Sequence, residues 1–315
     1  MVWFVRRVGI SLMLLLVVTS LVFMSIRMVP GDPVELLLSS EGNAPDPESV
    51  AAMRERLGLD RPIYEQYADT MLRFVRFDFG KSLISGSPIG RDIALRFPRT
   101  LELVALGSLV SLLIGVPAGV AAALRRGGIF DRVAFAITAF VQSIPVFVKG
   151  TIFVLVFSQI LRLVPAGGYV EFSNDPIRHL MLVLMPSLTI GIGFAGTLFR
   201  ITRASTLEVI PLDYVRTARA KGVTQQRIIV RHILRNSLMP VITVFALHVG
   251  SLLSGTVLTE AVFNYPGLSG MLVTAVNSRD YPAVTAILAV TSASFILINL
   301  VVDMLYGLLD PRVRR

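Results

Sequence analysis

Residues Asp213–Pro240 read DYVRTARAKGVTQQRIIVRHILRNSLMP, and the rest of the chain falls into place around them. The stretch is strongly basic, with Arg216, Arg219, Lys221, Arg227, Arg231 and Arg235, yet apolar runs long enough to cross a bilayer flank it. A basic segment between two spans must lie outside the hydrocarbon, and its charge predicts the cytoplasmic side. Asp213 to Lys221 reads as a short helix, Gly222 as its left-handed stop, and Gln225 to Leu238 as a second helix. Val215, Ala218 and Gly222 recur at i, i+3 and i+7, which predicts a small-residue face with Arg216 and Arg219 beside it. Such a face is expected to be a surface on which another body seats closely.

The composition agrees with a membrane setting. Of the 315 residues, 54% are hydrophobic, and the mean hydropathy is +0.71, as in a polytopic membrane protein. The chain has no Cys, which excludes disulfides, thiolate metal sites and thiol catalysis. A net charge of +9 could suggest nucleic acid, but the basic excess is concentrated in segments predicted to be cytoplasmic. It is read as a topology signal first, with anionic lipid headgroups as a further partner and nucleic acid excluded.

Outward from the basic stretch, the pattern predicts six spans and both termini in the cytoplasm. Arg6 and Arg7 precede an apolar run from Val8 to Ile26, too long for a signal-peptide core and lacking a small-residue cleavage site. Residues 27–99 form one polar segment, expected outside the membrane. Asp46-Pro47-Glu48 starts a helix that should stop at Gly58, and Ile63, Tyr67, Met71 and Phe74 mark an amphipathic helix after it. The second span is Leu101–Leu124, and the third is Val133–Leu161, broken at Ser143–Pro145. The fourth runs from about Met181 to Leu198, the fifth from about Leu238 to Val262 and the sixth from Ala283 to Leu309. The domain division expected is thus 1–26, 27–99 and a transmembrane body over 100–315 carrying the loop 213–240.

Four constellations bear on what chemistry the chain could carry. Gly80-Lys81-Ser82 ends like a phosphate-binding GxxxxGK[ST] loop, but Val75 stands where the first glycine must be. Without that cradle of backbone N–H groups no nucleotide pocket is expected, so no bound cofactor is. The three histidines, His179, His232 and His248, form no metal or hydrolase motif, and no paired-carboxylate site is evident. Lys149 falls in the middle of the third span, where an ammonium needs water, ligand or a partner. It either meets an anionic group of a substrate or pairs with Glu260 or Asp303; Glu102 and Glu260, near span ends, are expected to be solvated. His248, Ser251, Ser254, Gly255 and Thr259 recur along one side of the fifth span, either as a packing stripe or as the wall of a wet cavity. Gln142 and Ser143 beside Pro145 could extend that wall, since proline frees a carbonyl.

The wording of the basic stretch also resembles a known family. Inner-membrane subunits of binding-protein-dependent ABC importers carry a cytoplasmic loop of the form E-A-A-x3-G-x9-I-x-L-P. Here Ala218, Gly222 and Leu234 match that general form, while Arg216 replaces the acidic residue and Arg235 the proline. The wording DYVRTARAKG instead resembles the version in permeases of dipeptide, oligopeptide and nickel importers. So do LGLDRPIYEQY, FDFGKSL, TLELVALGSLVSLLIGVPAGV, TEAVFNYPGLSGMLV, RDYP and DMLYGLLDPRVR, which together cover nearly the whole chain.

The resemblance implies an all-α, six-span permease subunit that performs no covalent chemistry and sits in the inner membrane. Its implied partners are a second, homologous permease, two ATP-binding subunits on the cytoplasmic side, and an extracytoplasmic substrate-binding protein. Tyr214, Val215, Arg216, Ala218, Arg219, Lys221 and Gly222 would then couple the chain to an ATP-binding subunit. Gln142, Ser143, Lys149, His248, Ser251 and Ser254 are the candidates for the translocation path. Peptides are the leading cargo, with nickel complexes, glutathione-like peptides or oligosaccharides behind them. An ion-coupled secondary transporter is the rival class, and it would require inverted repeats and a carboxylate-rich midplane, which are not evident.

Overall fold

A computed structural model of the chain describes residues 2–28, 34–35, 46–57 and 59–309. Among these residues there is no strand, only an isolated bridge between Lys81 and Pro88. Five helices are long and apolar enough to cross a membrane: Phe4–Arg27, Ile89–Leu124, Pro176–Val209, Gln225–Leu253 and Tyr281–Val301. A sixth crossing arises if the bent pair Ile129–Ser143 and Val146–Ile160 counts as one span. That pair turns through 102° at Ser143–Pro145, where the proline lacks the N–H that would continue the helix. The expected break is therefore present, but as a near right angle.

The chain divides into two compact units. The first comprises residues 1–99 and 267–315. Here α1 (Val2–Arg27) packs along α12 (Tyr281–Leu309). Between them in sequence come α2 (Pro47–Leu57) and α3 (Ile63–Val75), then the first turns of α4 (Ile89–Leu124). The expected stop at Gly58 lies outside the described residues. Tyr67, Met71 and Phe74 of α3 are half-buried whereas Ile63 is exposed, and Tyr67 contacts Phe23 edge-on and Ser20 through its hydroxyl. Ile89, Ile93, Leu268, Ala275, Ala286 and Ile287 form the core of this unit, to which α11 (Leu268–Asn277) contributes. The Ser82 hydroxyl and the Leu83 N–H both donate to Asp280.

The second unit, residues 100–266, is organised on α7 (Pro176–Val209). Asp175 caps it by accepting from the Arg178 N–H at 3.0 Å, with Pro176 at the first helical position. Its apolar window is 72% buried, because α5 (Ile129–Ser143), α6 (Val146–Phe153) and α9 (Arg235–Gly255) all pack on it. The later part of α4 approaches α7 backbone to backbone. A Cβ at Gly115 would stand 2.6 Å from the Ala195 carbonyl, and one at Gly119 would stand 2.7 Å from that of Phe199. Small residues at such crossings let membrane helices gain dispersion contact that larger ones would forbid. The expected fifth span is interrupted: α9 ends at Gly255, and α10 (Val257–Val262) follows as a separate piece.

Candidate functional site

The basic stretch folds as a helical hairpin between α7 and α9. Its first arm, α8, spans Asp213–Ala220 and ends as the sequence predicts, with Gly222 at φ +73°. The Gly222 N–H donates to the Arg219 carbonyl at 3.0 Å and the Val223 N–H to the Ala218 carbonyl at 3.2 Å. These are the two bonds of a Schellman stop, and Val223 adds its apolar contact by packing on the hairpin core. The second arm differs from expectation. Only Gln225–Arg227 is α-helical before Ile228–Leu234 widens into a π-helix that runs straight into α9. The π repeat bonds i to i+5, so Ile228 and Ile233 come to one side instead of splaying apart as in an α-helix.

That widening corrects the small-face expectation. Val215 is 0% exposed and Ala218 7%, both packed against Val209, Ile228 and Ile233 of the same chain. The face meant to receive another body is the hairpin's own core, because burial of its apolar side chains in water is favourable without any partner. What remains outward are Tyr214, Arg216, Arg219, Lys221 and Gly222. Around Gly222 an added Cβ would meet nothing within 4 Å. One side-chain bond ties the hairpin to a span, Asn236 Nδ2 of α9 donating to the Tyr214 hydroxyl at 2.9 Å, and beside it Ser205 Oγ of α7 donates to the Ser237 carbonyl of α9 at 2.8 Å.

A second group of sequence-predicted residues gathers along α7 at Gly193–Thr197. Lys149 Nζ lies over Gly193, where an added Cβ would stand 2.9 Å from it. Gln142 lies over Gly196 and donates from Nε2 to Thr197 Oγ1 at 2.9 Å. His248 stacks on Phe194, with ring centroids 3.5 Å apart and planes at 15°. Lys149 is 9% exposed, and its one hydrogen bond, to the Val141 carbonyl, is long at 3.4 Å. It makes no ion pair with Glu260, and the Asp303 side chain lies outside the described residues. Ser143 and Ser251 do not join this group: both are exposed and bond back to their own helices, at Phe140 and His248. The Ser254 side chain is outside the described residues, and the break after Gly255 ends the stripe before buried Thr259.

The expectation of solvated glutamates is overturned for Glu260, whereas Glu102 is half-buried. Glu260 is 1% exposed and accepts from Thr100 Oγ1 at 2.8 Å and from Thr256 Oγ1 at 3.2 Å. Glu102 accepts from the Tyr265 hydroxyl at 2.8 Å and contacts His179 Nε2 at 2.6 Å. His179 Nδ1 donates to the Val170 carbonyl, 2.7 Å away, which leaves Nε2 to face the Glu102 carboxyl. A second buried carboxylate, Asp131, accepts both Nε and Nη2 of Arg203, at 2.6 and 2.8 Å, and the Gly127 N–H at 2.9 Å. Each network joins residues more than 70 positions apart, so no local motif announces it.

Helices of membrane-crossing length with a basic hairpin set between two of them are the build of a polytopic membrane protein. The comparisons with known proteins specify which. Residues 115–315 match the family described as binding-protein-dependent transport system inner membrane component, and residues 1–104 match its N-terminal companion. The chain is 38% identical to the di/tripeptide transport system permease protein DppB of Pseudomonas aeruginosa (strain UCBPP-PA14), across 98% of this chain and 97% of that one. It is 40% identical to the glutathione transport system permease protein GsiC of Escherichia coli (strain K12), across 95% and 94%. In fold it resembles a chain of the MetNI methionine ABC transporter in inward facing conformations, with a TM-score of 0.59 at 18% identity over 71% of this chain and 99% of that one. The protein belongs to the binding-protein-dependent transport system inner membrane components: it is a multi-pass inner-membrane permease subunit of an ABC importer.

Proposed function

We propose that this chain forms half of the translocation pathway of an ATP-driven importer for di- and oligopeptides. A second, homologous permease would complete the pathway. Two ATP-binding subunits on the cytoplasmic side would supply the hydrolysis, and an extracytoplasmic binding protein would deliver the cargo. The observation that carries the mechanical part is the hairpin, whose apolar core is self-contained while its polar face is free. The hairpin lies on the cytoplasmic side, where its basic residues obey the positive-inside bias. Its outward residues Tyr214, Arg216, Arg219, Lys221 and Gly222 dock an ATP-binding subunit, with Val215 and Ala218 stiffening the element from within. Closure of the motor subunits then moves the hairpin as a rigid piece; the Asn236–Tyr214 bond passes that motion to α9, and the Ser205–Ser237 bond couples α9 to α7.

The cargo assignment rests on the peptide permeases the chain resembles over its whole length. The 40% identity to a glutathione permease supports a second reading, in which the cargo is a small anionic peptide of that kind. Competition between labelled dipeptide and glutathione for uptake through the assembled importer separates the two. Gly222→Trp tests the docking. The bulky side chain stands in open space in this chain and so leaves the spans inserted, but it blocks a close-fitting partner. The left-handed stop adds roughly 1 kcal/mol of backbone strain. Expected are loss of uptake and of co-purifying ATP-binding subunits at unchanged membrane abundance. Normal uptake and co-purification would show that the hairpin docks nothing.

A further inference from the structure

Lys149 is the charged group that the importer reading leaves unexplained. The residue is nine-tenths buried, and its ammonium, with three donors, makes one long bond to a carbonyl. Among the described residues no carboxylate pairs with it. A charge in that condition within a membrane protein is costly, and such charges ordinarily face a partner or a substrate route. The surrounding sequence makes room for it. Gly193, near the middle of α7, lacks the Cβ that would press on Nζ, and Gly196 gives the same relief to Gln142. The amide of Gln142, on the α7 hydroxyl of Thr197, and the imidazole of His248, on Phe194, both meet α7 within the five residues 193–197, about 6 Å of helix axis.

We propose that Lys149, seated over Gly193, is a carboxylate-binding station for the cargo as it passes the membrane centre. The inference rests on the peptide reading above, because every unmodified peptide carries a carboxylate at its C-terminus and some carry one on a side chain. A buried ammonium short of acceptors gains a charge-assisted hydrogen bond when the carboxylate arrives. It returns to its long carbonyl contact when the cargo leaves. Gln142 and His248 supply neutral polar groups at the same depth, so the carboxylate meets no competing anion there. The shared chemistry is the carboxylate; whether it comes from the terminus or a side chain is decided by comparing free-acid and amidated peptides.

The test uses the complete importer in vesicles, with binding protein, ATP and labelled dipeptide. A membrane-permeant carbodiimide is added during turnover, which joins a carboxylate to an amine in contact with it through an amide bond. Expected is a peptide adduct on Lys149 with the free acid and none with the C-terminal amide. An amidated peptide containing Glu gives an adduct only if side-chain carboxylates also use the station. Free-acid uptake falls about tenfold in Lys149→Met, the cost of one charge-assisted bond, and Lys149→Arg recovers most of it. Lys149→Met removes a buried charge from the membrane and therefore inserts at least as well as the parent. Unchanged uptake in Lys149→Met overturns the proposal, as does turnover that leaves Lys149 without a free-acid adduct. An internal Lys149–Asp303 amide in place of the peptide adduct assigns the lysine to a structural pair. Failure of the unaltered importer to take up any peptide overturns the peptide reading itself, and the station with it.

Discussion

The hairpin at Asp213–Leu234 and the cluster at Gly193–Thr197 belong to the same unit and treat charge in opposite ways. The hairpin keeps Val215, Ala218, Ile228 and Ile233 inside, packed on Val209 at the end of α7, and turns every arginine and lysine outward. The cluster holds an ammonium inside and gives it little to bond with. The first arrangement is complete as it stands, since apolar burial and a Schellman stop need nothing from another molecule. The second is not, because a buried ion is stabilised only when something supplies its counter-charge. The proposed roles, docking by the hairpin and carboxylate binding by the cluster, require this division.

The largest effect comes from making the hairpin resemble the cluster. Val215→Asp places a carboxylate at a site with 0% exposure, between Ile228 and Ile233. Nothing there can pair with it, and the hairpin should lose about 3 kcal/mol or more. Limited trypsin digestion of inside-out membranes reads this as fast cleavage after Arg216 and Arg219, which the folded helix resists. Cleavage at the parent rate would mean that this apolar core does not hold the hairpin together.

A smaller effect is expected where charge is buried and paired. Arg203→Leu leaves Asp131, 6% exposed at its side chain, with only the Gly127 N–H and without its bidentate partner. Arg203 itself is 26% exposed, so solvent screens part of the loss, and about 2 kcal/mol is expected. Thermal unfolding in detergent should shift down by a few degrees. Adding Asp131→Leu should restore part of the shift, because the double change removes the stranded carboxylate. No recovery would mean that the pair is not coupled energetically.

These two regions also differ in how far the sequence discloses them. Gly222, the basic run and the flanking apolar stretches are legible because caps, turns and hydropathy are local patterns. Pro145 likewise announces the break in the third span, though not its near right angle. The π-helix at Ile228–Leu234 is not legible, and without it Val215 and Ala218 read as outward-facing when the fold turns them inward. A one-residue widening rotates a face without changing composition. Lys149 announces itself as an intramembrane charge, but its seat over Gly193 depends on α7, which is remote in sequence. The surroundings of Glu102, Glu260 and Asp131 escape a reading of the sequence for the same reason: their partners arrive only when the helices pack.

The smallest effect separates surface charge from both buried cases. Arg216 is 74% exposed at its side chain, and its nearest acid, Asp213, is 97% exposed and 3.6 Å away, a loose i,i+3 contact in water. Such a pair gains little Coulomb energy and loses side-chain entropy, so Arg216→Ala should change stability by less than about 0.5 kcal/mol. Any loss of function must then come from the partner surface. If Arg216 lines the rim of the docking site, uptake and co-purification of ATP-binding subunits fall modestly, and more in low salt than in high, where screening already weakens the contact. The measurement is uptake at two ionic strengths beside a melting curve of the same preparation. A melting shift as large as that of Arg203→Leu would place Arg216 among the structural charges and remove the distinction between the hairpin's outer face and its core.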